Sequence, residues 1–172
     1  LKDFTVKVTC KETTKKISLI PISASRAKQG TSEATPHERE QLESVNGSLS
    51  WVAKTARAGL LMAVSKVQQE KNKATVDTLK LCNRAVKFAK DDPDRGHTFL
   101  PNVLNWVDDI GFTVTDASHA NELEESTGEP FRSQGAKLVG LATKELWSGN
   151  RAGIHIFMMN STTIRRVCRA TV

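Results

Sequence analysis

Carboxylates are the first residues that could do chemistry. Asp108 and Asp109 stand side by side after Trp106-Val107. Asp116 follows the alternating Phe112-Thr113-Val114-Thr115, and Glu122, Glu124 and Glu125 crowd a polar stretch just beyond. Oxygen ligands of this kind suit Mg²⁺, which keeps several waters and takes one or two carboxylates. Each group also has a plainer reading: paired Asp form charged turns, a strand-end Asp caps a turn, and a Glu-rich loop is a solvated surface. Arg165, Arg166 and Arg169 could line a phosphate path, or form the wet side of an element beside Ile164 and Val167. Trp51, Trp106 and Trp147 could stack bases, but with 5% aromatic residues and no Tyr they read rather as packing residues. Cys10, Cys82 and Cys168 are far apart and lack paired His, so they read as reduced thiols and not as a disulfide or zinc framework.

Charge is unevenly spread. Residues 1 to 90 hold 17 Lys and Arg against 8 Asp and Glu, giving +9, whereas residues 91 to 172 hold 8 against 11, giving −3. A basic first half suits a polyanion, because each neutralised phosphate releases condensed counterions. An acidic second half suits a metal ion. No stretch approaches the roughly 18 to 20 apolar residues of a membrane span, so we expect no membrane partner and an intracellular chain, cytoplasmic or nuclear. The first residue is Leu1 and the last is Val172, in an apolar and basic run, which reads as a piece of something longer.

The elements that would position these residues can be read from periodicity. Phe4, Val6 and Val8 alternate with polar residues, and Ile17, Leu19 and Pro21 follow a Thr and Lys stretch, predicting two short strands, the second at an edge. Residues 23 to 35 read as a loop. Thr35, Pro36 and Glu38 predict a capped helix start. Leu42, Val45, Leu49, Val52, Ala56, Leu60, Ala63 and Val67 then make one apolar stripe, which Gly47 and Gly59 leave open as one helix or two. A further helix is predicted from about Thr75, burying Val76, Leu79, Cys82, Val86 and Ala89 and ending at the turn from Asp91 to Gly96. Beyond His97 the period shortens: Phe112 to Val114, Ala136 to Thr143 and Ile154 to Met159 predict strands.

Several segments, in order, resemble one family. Gly47-Ser48-Leu49-Ser50-Trp51, then Arg57-Ala58-Gly59-Leu60, then Val86-Lys87-Phe88-Ala89-Lys90, are similar to the end of the reverse transcriptase in copia-type retrotransposon polyproteins. Val114-Thr115-Asp116-Ala117-Ser118 with Asn121, Ser133-Gln134-Gly135, and Arg166-Val167-Cys168-Arg169-Ala170-Thr171 resemble the opening of the ribonuclease H domain that follows it. Ala58 and Gly59 stand where the family has Pro and Asp. The resemblance covers about residues 36 to 172. It implies an α+β chain: a mostly helical connection region over residues 1 to 97, then, over 98 to 172, an incomplete ribonuclease H-like domain with three antiparallel strands.

The resemblance also implies chemistry. The parent protein would copy RNA into DNA and degrade the RNA of RNA–DNA hybrids. Two divalent ions about 4 Å apart, held by a carboxylate cluster, align the attacking water. Asp116 would be the first catalytic carboxylate and an Mg²⁺ ligand. Ser118 and Arg166 would contact substrate. The family's next carboxylate lies beyond Thr171, so this chain would be inactive alone and would hold Mg²⁺ weakly. The implied partners are an RNA–DNA hybrid or other nucleic acid, and the rest of the polyprotein. Trp106-Val107-Asp108-Asp109 is also similar to the aromatic-x-Asp-Asp polymerase hairpin, but it follows the Gly-Ser-Leu helix where that hairpin should precede it, so it reads as a charged turn. Two alternatives stay open: a decayed, noncatalytic nucleic-acid-binding remnant, and a helical protein-interaction module.

Overall fold

The computed structural model describes residues 4–104, 107–117 and 133–164. The chain divides into two compact units, Phe4–Phe99 and the residues from Leu100 onward. It mixes helix and sheet, with five α-helices and a three-stranded antiparallel sheet among the described residues.

The first unit opens with β1 (Val6–Thr9). The Thr and Lys stretch that follows is not a spacer between strands but a helix, α1 (Lys11–Lys16), with Glu12 in its first turn and Lys15 and Lys16 in its last. That charge order complements the helix dipole. The predicted second strand near Ile17 does not form. Ile17 and Ile20 are buried from an extended segment, whose backbone is held by a side chain: Ile20 N donates to Asn83 Oδ1 at 2.8 Å, and Asn83 Nδ2 donates to Ile20 O at 2.8 Å. Within the expected loop, Ser23 caps a single helical turn, α2 (Ala24–Ala27).

The helix start read at Thr35 is present. In α3 (Pro36–Thr55) the Thr35 hydroxyl accepts from Glu38 N at 3.2 Å, and the Glu38 carboxylate accepts from Thr35 N at 2.7 Å. The apolar stripe continues through two helices rather than one. Ala56 leaves helical geometry, Ala58–Leu60 forms a 3-10 turn, and α4 (Leu61–Glu70) resumes. Gly59 lies in this break. Leu42, Leu49, Val52, Leu60 and Val67 are buried, while Val45 is only half-buried and Asn46 is buried beside it. Thr75 and Thr78 cap α5 (Val76–Asp91), which buries the predicted Val76, Leu79, Cys82, Val86 and Ala89. Each fully buried aliphatic side chain of this kind contributes roughly 1.5–3 kcal/mol, and α3, α4 and α5 all pack on one another. β2 (Gly96–Phe99) then pairs antiparallel with β1, Val6 opposite Phe99 and Thr9 opposite Gly96. A Cβ at Gly96 would strike the Val8 carbonyl, so this approach needs glycine.

The second unit is an antiparallel meander of β3 (Ile110–Ala117), β4 (Ser133–Ala142) and β5 (Ile154–Ile164), with β4 central. Ile110 lies opposite Ala142, Asp116 opposite Ala136, and Leu138 opposite Met159. The β4–β5 register shifts between Val139 and Gly140. Strand alternation puts Ile110, Phe112, Val114 and Asp116 on one face. On that face the Phe112 ring covers Gly140, where a Cβ would lie 2.7 Å from it. A 3-10 turn, Lys144–Ser148, leads to Gly149 at φ 74° and on to β5.

The packing role read for tryptophan is corrected. Trp51 is 62% exposed and Trp147 86% exposed. Trp51 lies two residues past Leu49, about 200° around α3 from the buried side, and Trp147 sits in a turn whose side chains all face solvent. Trp106 is outside the described residues.

Candidate functional site

Asp116 is the next-to-last residue of β3 and its side chain is exposed. Ala136 is its partner on β4, and Ser161 is the partner of Ala136 on β5. Neither neighbour brings a carboxylate. Asp108 and Asp109 lie at the other end of β3, in the turn that leads into Ile110. Seven residues of extended strand put Asp109 roughly 23 Å from Asp116, far beyond the spacing of about 4 Å between ions that share carboxylates. Asp108 is instead paired with Lys144 at 3.1 Å, as a charged turn would be. The Glu145 carboxyl is held below its usual range by the Thr143 hydroxyl and by its own backbone N–H.

Among the described residues no group of three or more His, Cys, Asp or Glu side chains converges as a metal site would require. Ser118 and Arg166, the expected substrate contacts, lie outside the described residues, as do Glu122, Glu124, Glu125, Arg165 and Arg169.

The basic side chains of the first unit divide into two groups. Some are used by the fold. Arg26 grips Glu38 with two hydrogen bonds, Nε at 3.2 Å and Nη2 at 2.9 Å, and also donates to Glu33 O at 2.6 Å. Arg39 Nε donates to Ala34 O at 3.0 Å. Arg57, only 6% exposed, donates to the carbonyls of Phe88, Ala89 and Asp92 at the end of α5. The Arg57 of the family-like segment is therefore structural in this chain. Others face solvent. Lys80, Arg84 and Lys87 sit at i, i+4 and i+7 along α5 and line a shallow groove with Asn83 and Asp77. Their spacing of four and three is legible in the sequence, on the side of the helix away from its predicted buried face.

Comparison with protein-family models, with curated proteins and with solved structures returned no match. No helix among the described residues is long and apolar enough to cross a membrane.

Proposed function

We propose that this chain is a piece of a copia-type retrotransposon polyprotein, spanning the end of the reverse transcriptase and the start of the ribonuclease H domain, and that its own contribution is to hold nucleic acid. The observation that carries the reading is the order of its motifs, from Gly47-Ser48-Leu49 through Arg57 to Asp116, with Asp116 next to last in the first strand of a three-stranded antiparallel sheet. The charge supports the nucleic-acid part: the unit Phe4–Phe99 holds 17 Lys and Arg against 10 Asp and Glu, a balance of +7. In this reading Asp116 is one carboxylate of a metal site that other residues must complete, and Ser118 and Arg166 are substrate contacts.

Two measurements test it. The chain is titrated with a labelled RNA–DNA hybrid and with DNA duplex; affinity should be weak, indifferent to sequence, and fall steeply between about 50 and 200 mM salt. Absence of binding, or binding indifferent to salt, overturns the nucleic-acid role. The gene around this segment is then sequenced. An aromatic-x-Asp-Asp polymerase hairpin upstream and further ribonuclease H carboxylates downstream are expected, and an unrelated reading frame overturns the family assignment.

A further inference from the structure

We infer that the shallow groove along the exposed side of α5 is the phosphate-binding site of the first unit, with Lys80, Arg84 and Lys87 as its contacts. The inference rests on the nucleic-acid role above and assigns it to particular residues. Three observations carry it.

The first is geometry. At 1.5 Å per residue, Lys80, Arg84 and Lys87 are spaced about 6 and 4.5 Å apart along the helix axis, about 10 Å in all. Successive nucleotides of one strand rise about 3.4 Å, so the row spans about three phosphates. Asn83, which lines the groove between these charges, is held in place by its paired hydrogen bonds with the Ile20 backbone. Ile20 is itself buried in the core, so Asn83 is tied to a fixed point of the fold.

The second is that two of the charges make no ion pair with the described residues. Lys80 is held at 2.8 Å by Asp77, but Arg84 and Lys87 make no ion pair among the described residues. Both are exposed. By contrast Arg26, Arg39, Arg57 and Lys11 are each committed to a carboxylate or to helix-end carbonyls.

The third removes a structural explanation for the row. Basic residues late in a helix often serve to offset its dipole. In α5 that role belongs to Arg57, whose buried guanidinium meets the final carbonyls directly, and to Lys90 in the last turn. Lys80 and Arg84 stand too far from the C-terminus to share it, since the effect decays within one turn.

The test uses the full chain and a fluorescent RNA–DNA hybrid of about 20 base pairs. One variant carries Lys80→Gln, Arg84→Gln and Lys87→Gln; a control carries Lys7→Gln, Lys54→Gln and Lys73→Gln, an equal charge change at exposed positions elsewhere in the unit. Circular dichroism confirms that both are folded. The groove variant should bind at least about tenfold more weakly near 100 mM salt, and its salt slope should be shallower by about 2 to 3, the phosphates lost at about 0.9 each. The control should keep the slope within about one contact of the parent chain. Equal weakening of both variants would show diffuse attraction and overturn the groove assignment while leaving the nucleic-acid role standing. Failure of the unmodified chain to bind would overturn both. Displacement of the hybrid by poly-glutamate at equal charge concentration would assign the groove to acidic peptides and overturn the inference.

Discussion

Arg57 reaches from the break after α3 to the far end of α5, where its guanidinium carbon lies 5.4 Å from the centroid of the Phe88 ring and Nη2 donates to Phe88 O at 3.1 Å. The last carbonyls of a helix have no partner within it. A planar cation with several donors meets them here in a nearly dry setting. Arg57 follows directly on Ala56, where the backbone leaves helical geometry at the end of α3.

Arg57 is therefore expected to be among the most sensitive polar positions. Arg57→Leu should destabilise the first unit by about 2–4 kcal/mol, since it strands buried carbonyls. Arg57→Lys should fall between the two, because an ammonium keeps the charge but cannot reach three carbonyls with a flat fork. Urea unfolding of the three proteins checks the order. A leucine variant as stable as the parent would refute the capping role.

Glu38 gives the first unit a dependence on acid. Two hydrogen bonds from Arg26, with those from Thr35, lower its carboxyl from 4.5 to about 2. A carboxyl lowered by folding adds stability that is complete above its unfolded value and fades as pH falls toward the folded one. Thermal unfolding should thus lose a contribution between about pH 4.5 and pH 2. Glu38→Gln should already lack it at pH 7, at a cost of about 1–2 kcal/mol, and should show a flatter profile over that window. Parallel profiles would count against the pairing.

Cys82 should be chemically silent while the chain is folded. Its side chain is fully buried, and burial pushes the thiol up to about 12. Only the thiolate reacts, and a free cysteine has it at about pH 8.5. At pH 8 an alkylating reagent, followed by peptide mapping, should label Cys82 at least about a hundredfold faster in denaturant than in buffer. Rapid native labelling would mean that α5 does not pack as described.

Two glycines of the second unit should respond in opposite ways to the same change. At Gly140 an added Cβ would lie 2.5 Å from the His155 carbonyl oxygen and 2.7 Å from the Phe112 ring. Backbone on one side and a ring on the other leave it no room, so Gly140→Ala should cost about 1–3 kcal/mol. At Gly111 nothing lies within 4 Å, and Gly111→Ala should be neutral or slightly stabilising. Amide hydrogen exchange over β3 to β5 distinguishes them; equal protection in both variants would show that the ring does not sit on Gly140.

Features that depend on near neighbours are legible in the sequence alone. The capped start at Thr35, the start near Thr75, the buried face of α5 and the three later strands all follow from residues within a few positions of each other, where capping, period and turn chemistry act. Tertiary structure decided what depends on distant partners. Val6 finds Phe99 across most of the first unit, Asn83 fixes a segment 63 residues away, and Arg57 becomes a cap only because α5 ends beside it. The pattern of Thr and Lys after Cys10 was compatible with a spacer or a helix, and packing against α3 and α5 chose the helix. The candidate site divides in the same way. Asp116 at a strand end was legible from alternation, and so was the spacing of Lys80, Arg84 and Lys87. That Asp108 and Asp109 lie a full strand length from Asp116, and that Asn83 beside the basic row is tied to Ile20, follow from strand geometry and from two long-range hydrogen bonds, which no local pattern encodes.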